Sequence, residues 1–152
     1  MLIYKSKLNN FLLDVLSNEI ELILLREYNL MTGGIVSEAE QRSWKNSMQY
    51  MSLVLSNSGL PNNAGVAIEF KIPQTSKRID FVISGLSEDQ SESVVLIELK
   101  QWDSVEITDK DGIVRTRFKG GSAETSHPSY QVWSYASLIN NFNENVYNSN
   151  IN

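Results

Sequence analysis

Asp80 and the triplet Glu98-Leu99-Lys100 are the residues of this chain whose types and spacing suit a chemical task. Asp80 sits in the run Arg78-Ile79-Asp80-Phe81-Val82-Ile83, and Glu98 and Lys100 close the run Val94-Val95-Leu96-Ile97-Glu98-Leu99-Lys100. Both runs are rich in β-branched residues and read as strands, with the polar stretch 85–93 as the loop of a hairpin between them. Side chains alternate across a strand, so Glu98 and Lys100 share one face while Leu99 turns into the core. Asp80 shares a face with Arg78, Val82 and Ser84, and an antiparallel register can set it beside Glu98. Two carboxylates on adjacent strands suit a hard cation, because Mg²⁺ takes one or two carboxylates and fills its octahedron with water and phosphate. The backbone carbonyl of Leu99 is a further candidate ligand. Lys100 beside such a cation would orient or deprotonate a water and offset charge on a transferring phosphoryl group. The chemistry that fits is phosphodiester hydrolysis. Two alternatives stand beside it: a fold of this kind that only binds nucleic acid or a partner protein, and a structural ion-pair cluster of Asp80, Glu98 and Lys100.

The elements that must position these residues follow from the rest of the chain. Val94 to Ile97 is apolar on both faces and reads as a central strand covered on each side. Upstream, 65–72 alternates, with Val66, Ile68, Phe70 and Ile72 on one face and Ala67, Glu69 and Lys71 on the other. The turn Pro73-Gln74-Thr75-Ser76 folds it back onto the Asp80 strand. Glu69 is thereby an auxiliary site residue or one half of a structural salt bridge. The stretch 7–29 reads as one helix with the stripe Leu12, Leu16, Ile20 and Ile23, stopped by Gly33-Gly34. Ser37-Glu38-Ala39-Glu40 is a capping box that opens a second helix, with Trp44, Met48, Met51 and Leu55 as its buried face and Gly59 and Pro61 past its end.

Downstream, 104–121 forms a basic arm. Its strand-like run is Ile113 to Lys119, followed by Gly120-Gly121. Lys110, Arg115, Arg117 and Lys119 are its cations, suited to phosphate contacts or to guarding a solvated edge. A third helix over 127–141 starts at His127-Pro128, with His127 as the cap and Pro128 in the first position, and carries Gln131 and Tyr135 on one face. From Asn140 the chain is asparagine-rich and reads as a tail.

Asp80 followed by Glu98-x-Lys100 across a hairpin resembles the PD-(D/E)XK nuclease superfamily. Gln131-x-x-x-Tyr135 is similar to the accessory motif of its exonuclease branch. Ile79 stands where the superfamily motif has proline. The resemblance implies an α/β, restriction-endonuclease-like fold: a mixed central sheet flanked by helices, with two N-terminal helices. It implies Asp80 and Glu98 as ligands of Mg²⁺, for which Mn²⁺ can substitute, Lys100 as the catalytic lysine, and Gln131 and Tyr135 directed to the site. It also allows the leading helix to supply a further acid, for which Glu19 is the candidate beside a plain solvated charge. The implied substrate is nucleic acid, DNA before RNA. The superfamily core closes with a strand beside the third that is not evident by Asn152. The expectation is therefore a single nuclease-like domain over 1–152 that is part of a longer chain. Residues from the first helix to Gln131 are similar to the N-terminal part of bacterial proteins in which such a domain precedes a helicase-like motor. No G-x-x-x-x-G-K-[ST] loop occurs here, so no motor is expected within these residues.

Composition bounds these readings. A chain of 152 residues is long enough for one domain that buries about 70% of its unfolded surface. With no cysteine and a single histidine, thiolate and histidine-rich zinc sites are excluded and oxygen-based metal chemistry remains. The net charge of −5 denies the chain a general attraction to nucleic acid, so affinity must come from local patches and a cation. Asp14, Glu19 and Glu21 interrupt the apolar residues near the N-terminus, so neither a signal peptide nor a membrane span is expected, and a soluble cytoplasmic protein is.

Overall fold

The structure, a computed structural model, describes residues 1–142 together with Val146 and Ile151. The chain is α/β, with four helices and two antiparallel sheets among the described residues. A strand β1 (Leu2–Lys7) leads into helices α1 (Leu8–Leu16), α2 (Ile20–Thr32) and α3 (Glu38–Ser56). Strands β2 (Gly65–Lys71), β3 (Arg78–Leu86) and β4 (Glu92–Ile97) complete a four-stranded sheet in the order β1-β2-β3-β4. Strands β5 (Val105–Ile107), β6 (Ile113–Phe118) and β7 (Gly121–Ser126) form a second, three-stranded sheet, and α4 (Pro128–Phe142) follows. The tail expected from Asn140 onward lies mostly outside the described residues.

Several expectations are corrected here. The central sheet is not mixed: β2, β3 and β4 are joined by hairpins, and β1 pairs antiparallel with β2. A strand precedes the first helix and takes in Lys7, where the helix was expected to begin; its Ile3 and Tyr4 enter the core while Lys5 stays outside. The single helix over 7–29 is two helices, broken where Asn18 takes a left-handed conformation with φ of 58°. That break shifts the helical phase, so the buried positions are Leu8, Phe11 and Val15 on α1, then Ile20 and Leu24 on α2, while Leu16 is exposed.

The strand expected to be central, β4, is an edge strand of its sheet among the described residues. Val94 and Val95 are 37% and 54% exposed, so an apolar run marked neither coverage nor centrality. The loop before it is shorter than expected, because β3 runs on through Gly85 and Leu86, and Asp89 bonds Ser87 and Ser91 to close the turn. The strand-like run expected within the basic arm is β6, the middle strand of the second sheet. The outer strands of that sheet carry the short or polar sequences Val-Glu-Ile and Gly-Ser-Ala-Glu-Thr-Ser, which give little strand signal.

Helix α3 forms as its sequence dictates. Ser37 Oγ accepts the Glu40 N–H at 3.2 Å, and Trp44, Met48, Met51 and Leu55 are buried. They pack with Phe11, Leu24, Ile68 and Phe81 in the main core between the N-terminal helices and the sheet. A smaller core joins α4 to the sheet: Ile72, Ile79 and Tyr135 are buried, with Phe70, Val82, Leu96, Leu138 and Ile139 against them. Val82 and Leu96 are direct cross-strand partners; Asp80 lies two residues before Val82 on β3, and Glu98 follows directly after the end of β4. No described helix is long and apolar enough to cross a membrane.

Candidate active site

A cleft of about 640 Å³ is walled by α3, β2, β3, the segment 98–100 and α4. Asp80, Glu98, Leu99, Lys100, Gln131 and Tyr135 all line it, so the structure brings these expected site residues to one cleft. The β3–β4 ladder stops at Phe81 opposite Ile97. One step on, where Asp80 would face Glu98, the chain leaves strand geometry and the Leu99 N–H donates instead to Asp80 Oδ2 at 2.9 Å. Leu99 packs its side chain against the main core, which fixes that peptide in place.

Glu98 is the most constrained of these groups. Its Oε1 accepts from Lys100 Nζ at 2.6 Å and from Gln131 Nε2 at 2.5 Å, and Gln131 Nε2 also donates to the Tyr135 hydroxyl at 2.8 Å. The glutamine and tyrosine are held there because α4 starts at its His127 cap, whose Nδ1 accepts the Ser129 N–H at 3.1 Å, and buries Tyr135 in the smaller core. The other oxygen, Glu98 Oε2, is buried with no hydrogen-bond partner. Burial pushes the Glu98 carboxyl above its ordinary range against the Lys100 hydrogen bond, and the Asp80 charge adds to the rise. Burial likewise raises Asp80, opposed by the Leu99 N–H and by Lys100 and Arg78. Two desolvated carboxylates with an orphaned lone pair are a donor set that a hard divalent cation satisfies. Among the described residues there is no group of three or more histidine, cysteine, aspartate or glutamate side chains that could hold a metal. Asp80 and Glu98 are carboxylates that line the cleft together with Lys100.

Glu69 lines the same cleft, but its surroundings differ from those its strand alternation implied. Its φ of 58° is left-handed for a non-glycine residue, which draws its side chain inward until only 3% of the residue is exposed. Glu69 Oε1 accepts the Trp44 indole N–H at 2.7 Å, and Oε2 is ion-paired with Arg78 Nε. Arg78 reaches on through Nη2 to Glu40 Oε1 at 3.1 Å. Burial pushes the Glu69 carboxyl up to about 7; Arg78 and the Trp44 N–H oppose that rise, and Asp80 and Glu40 add to it. Trp44, expected only as core, is thus also a donor to the cleft. Glu40 belongs to the cleft as well; its place in the capping box hid it, since the box assigned it to the helix start.

Searched against protein-family models, curated proteins and solved structures, the chain matches none.

Other expected site residues lie elsewhere. Glu19 is the exposed N-cap of α2 and does not line the cleft; the helical acid that does is Glu40. Lys110, Arg115, Arg117 and Lys119 do not line it either, because they ride on the second sheet and its turns. There Lys110 and Arg115 share one carboxylate, Glu124, at 2.6 and 3.2 Å. Lys119-Gly120 is the turn of the β6–β7 hairpin and Gly121 opens β7 opposite Phe118, away from the cleft lining. The cations of the cleft are Lys71, Lys77, Arg78 and Lys100.

Proposed function

We propose that this chain hydrolyses phosphodiester bonds of nucleic acid, DNA before RNA, with Mg²⁺ or Mn²⁺ held by Asp80, Glu98 and the Leu99 carbonyl. The observation that carries the proposal is the buried, unpartnered Glu98 Oε2 in a cleft shared with Asp80 and Lys100. A bound cation there would supply Lewis-acid polarisation of the phosphate and a more acidic water. The chain's own groups do the rest. Gln131 and Lys100 hold Glu98 Oε1, which fixes the direction of Oε2, and the Leu99 N–H fixes Asp80 in the same way. Lys100 Nζ stands at the cleft as a cation that orients a water and offsets developing negative charge on the phosphoryl oxygens. A restriction-endonuclease-like core is proposed with it, supported by the order β2, β3, β4 and α4 and by the two acids and lysine it would place together. A domain linked to a helicase-like motor remains part of the same proposal.

The second reading is a nuclease-like domain that binds nucleic acid or a partner protein without cutting. What favours it is the ion pair between Lys100 and Glu98, which occupies the amine that catalysis would use. Incubating the purified chain with labelled single- and double-stranded DNA and RNA in Mg²⁺, Mn²⁺ or EDTA tests the proposal. Metal-dependent cleavage is expected. Binding without cleavage in any metal would establish the second reading instead.

A further inference from the structure

The cleft does not end at Lys100. A smaller depression of about 480 Å³ shares Ser47, Leu99 and Lys100 with it and continues to Tyr50, Gln101 and Trp102. The Lys100 Nζ lies 5.9 Å from the centroid of the Trp102 ring, so the lysine stands at the junction of the two depressions. Tyr50 is 71% exposed on α3, and Trp102 is half-buried. The Gln101 side chain donates to Ser43 O at 2.8 Å and to Ser47 Oγ at 3.1 Å, which ties the Trp102 segment to α3 beside Tyr50. At the opposite end of the cleft, Lys71 and Lys77 are exposed, and neither has an ion pair among the described residues. Arg78, between them and the carboxylates, is already committed to Glu69 and Glu40.

We infer that this continuous groove, with free lysines at one end, the carboxylates in the middle and aromatic rings at the other, is a track for single-stranded nucleic acid. The inference rests on the nuclease reading above and names its substrate class. Backbone phosphates meet Lys71 and Lys77, and a base on the far side of the scissile phosphate stacks on Trp102 or Tyr50. Only an unpaired strand can offer that base, because a duplex keeps its base faces stacked inside. Without a general positive field, binding draws on these few local contacts, and stacking on a Trp or Tyr is indifferent to sequence.

The test is binding in EDTA, where cleavage is silent, of oligo-dT and of a duplex of equal length, read by intrinsic fluorescence and by anisotropy. Single strands should quench a signal that is absent in Trp102→Phe and retained in Trp133→Phe. Affinity for them should exceed that for the duplex about tenfold, and Trp102→Leu or the exposed-site variant Tyr50→Ala should weaken it by about the same factor. Lys71→Ala with Lys77→Ala should lower the salt dependence of log K by about 1.4. A duplex bound as tightly as the single strand, or a quench unchanged in Trp102→Phe, overturns the track. Cleavage in Mg²⁺ separates the two proposals: cleavage with no Trp102 signal overturns the track and spares the nuclease reading, whereas a Trp102 signal with no cleavage does the reverse.

Discussion

Gln131 on α4 and Lys100 after β4 donate to the same oxygen of Glu98, leaving the other oxygen of that carboxylate buried and unpartnered. A structural ion-pair cluster would be expected to use both oxygens, since each unmet buried acceptor costs about 1–3 kcal/mol. The asymmetry is what a metal ligand needs.

Lys100→Met keeps most of the side-chain length and removes the charge. Cleavage should fall by roughly two to three orders of magnitude, while both carboxylates still bind Mn²⁺ in calorimetry. Loss of metal binding together with cleavage would instead make Lys100 an organiser of the carboxylates.

Asp80→Asn and Glu98→Gln preserve an acceptor for the Leu99 N–H and for Lys100 and Gln131, and each removes one of two crowded charges. Both carboxyls are raised above their ordinary range, chiefly by burial, so the variants should melt no lower than the parent in EDTA and should lose the Mg²⁺-induced rise in Tm. A structural cluster predicts the opposite, destabilisation by about 3 kcal/mol with or without metal.

Glu69 gives the fold a pH dependence of defined sign. Its folded pKa of about 7 lies above the ordinary 4.5, so the folded chain binds more protons between those values than the unfolded chain. The stabilising contribution is complete below the unfolded value and is lost as pH rises through the folded one. Asp80 and Glu98 shift in the same direction. In thermal melts without metal, Tm should therefore rise as pH falls from about 8 to about 5.5, and Glu69→Gln should flatten that slope.

Trp44→Phe keeps the ring in the core and removes the N–H that Glu69 Oε1 accepts. A buried acceptor is left short of a donor, at a cost of about 1–3 kcal/mol. That bond also opposes the rise of the Glu69 pKa, so the melting transition of the variant should steepen its pH dependence and move it to higher pH. Equal losses of stability at every pH would show that Trp44 acts on Glu69 through packing alone.

The local motifs were legible where chemistry and period coincide. Glu98 and Lys100 line the cleft while Leu99 packs on the core, as alternation implies, although the strand itself ends at Ile97, and the spacing of Gln131 and Tyr135 puts both on the cleft side of α4. The capping box and the Trp44, Met48, Met51, Leu55 stripe placed α3 correctly. What escaped depends on partners remote in sequence. The Leu12, Leu16, Ile20, Ile23 stripe assumed one unbroken helix, and a single left-handed Asn18 reset it. Val94 and Val95 look like core by composition, but only the strand order shows that β4 lies outside. The cations of 104–121 have the density of a phosphate-binding arm, yet Glu124 lies across the hairpin to meet two of them. Glu40 was read through its local cap, while its ion pair is with Arg78, 38 residues away.

Helix α3 is bonded to the cleft by three long-range links, through the Trp44 N–H to Glu69, through Glu40 to Arg78, and through Gln101 to Ser43 and Ser47. The sheet side of the site and the segment beyond Lys100 are thus both moored to one helix. Detaching α3 would loosen both moorings at once, so the site should persist or dissolve as a single cooperative unit with that helix. In native-state hydrogen exchange, the amides of α3 and the Leu99 amide would then open with one common free energy.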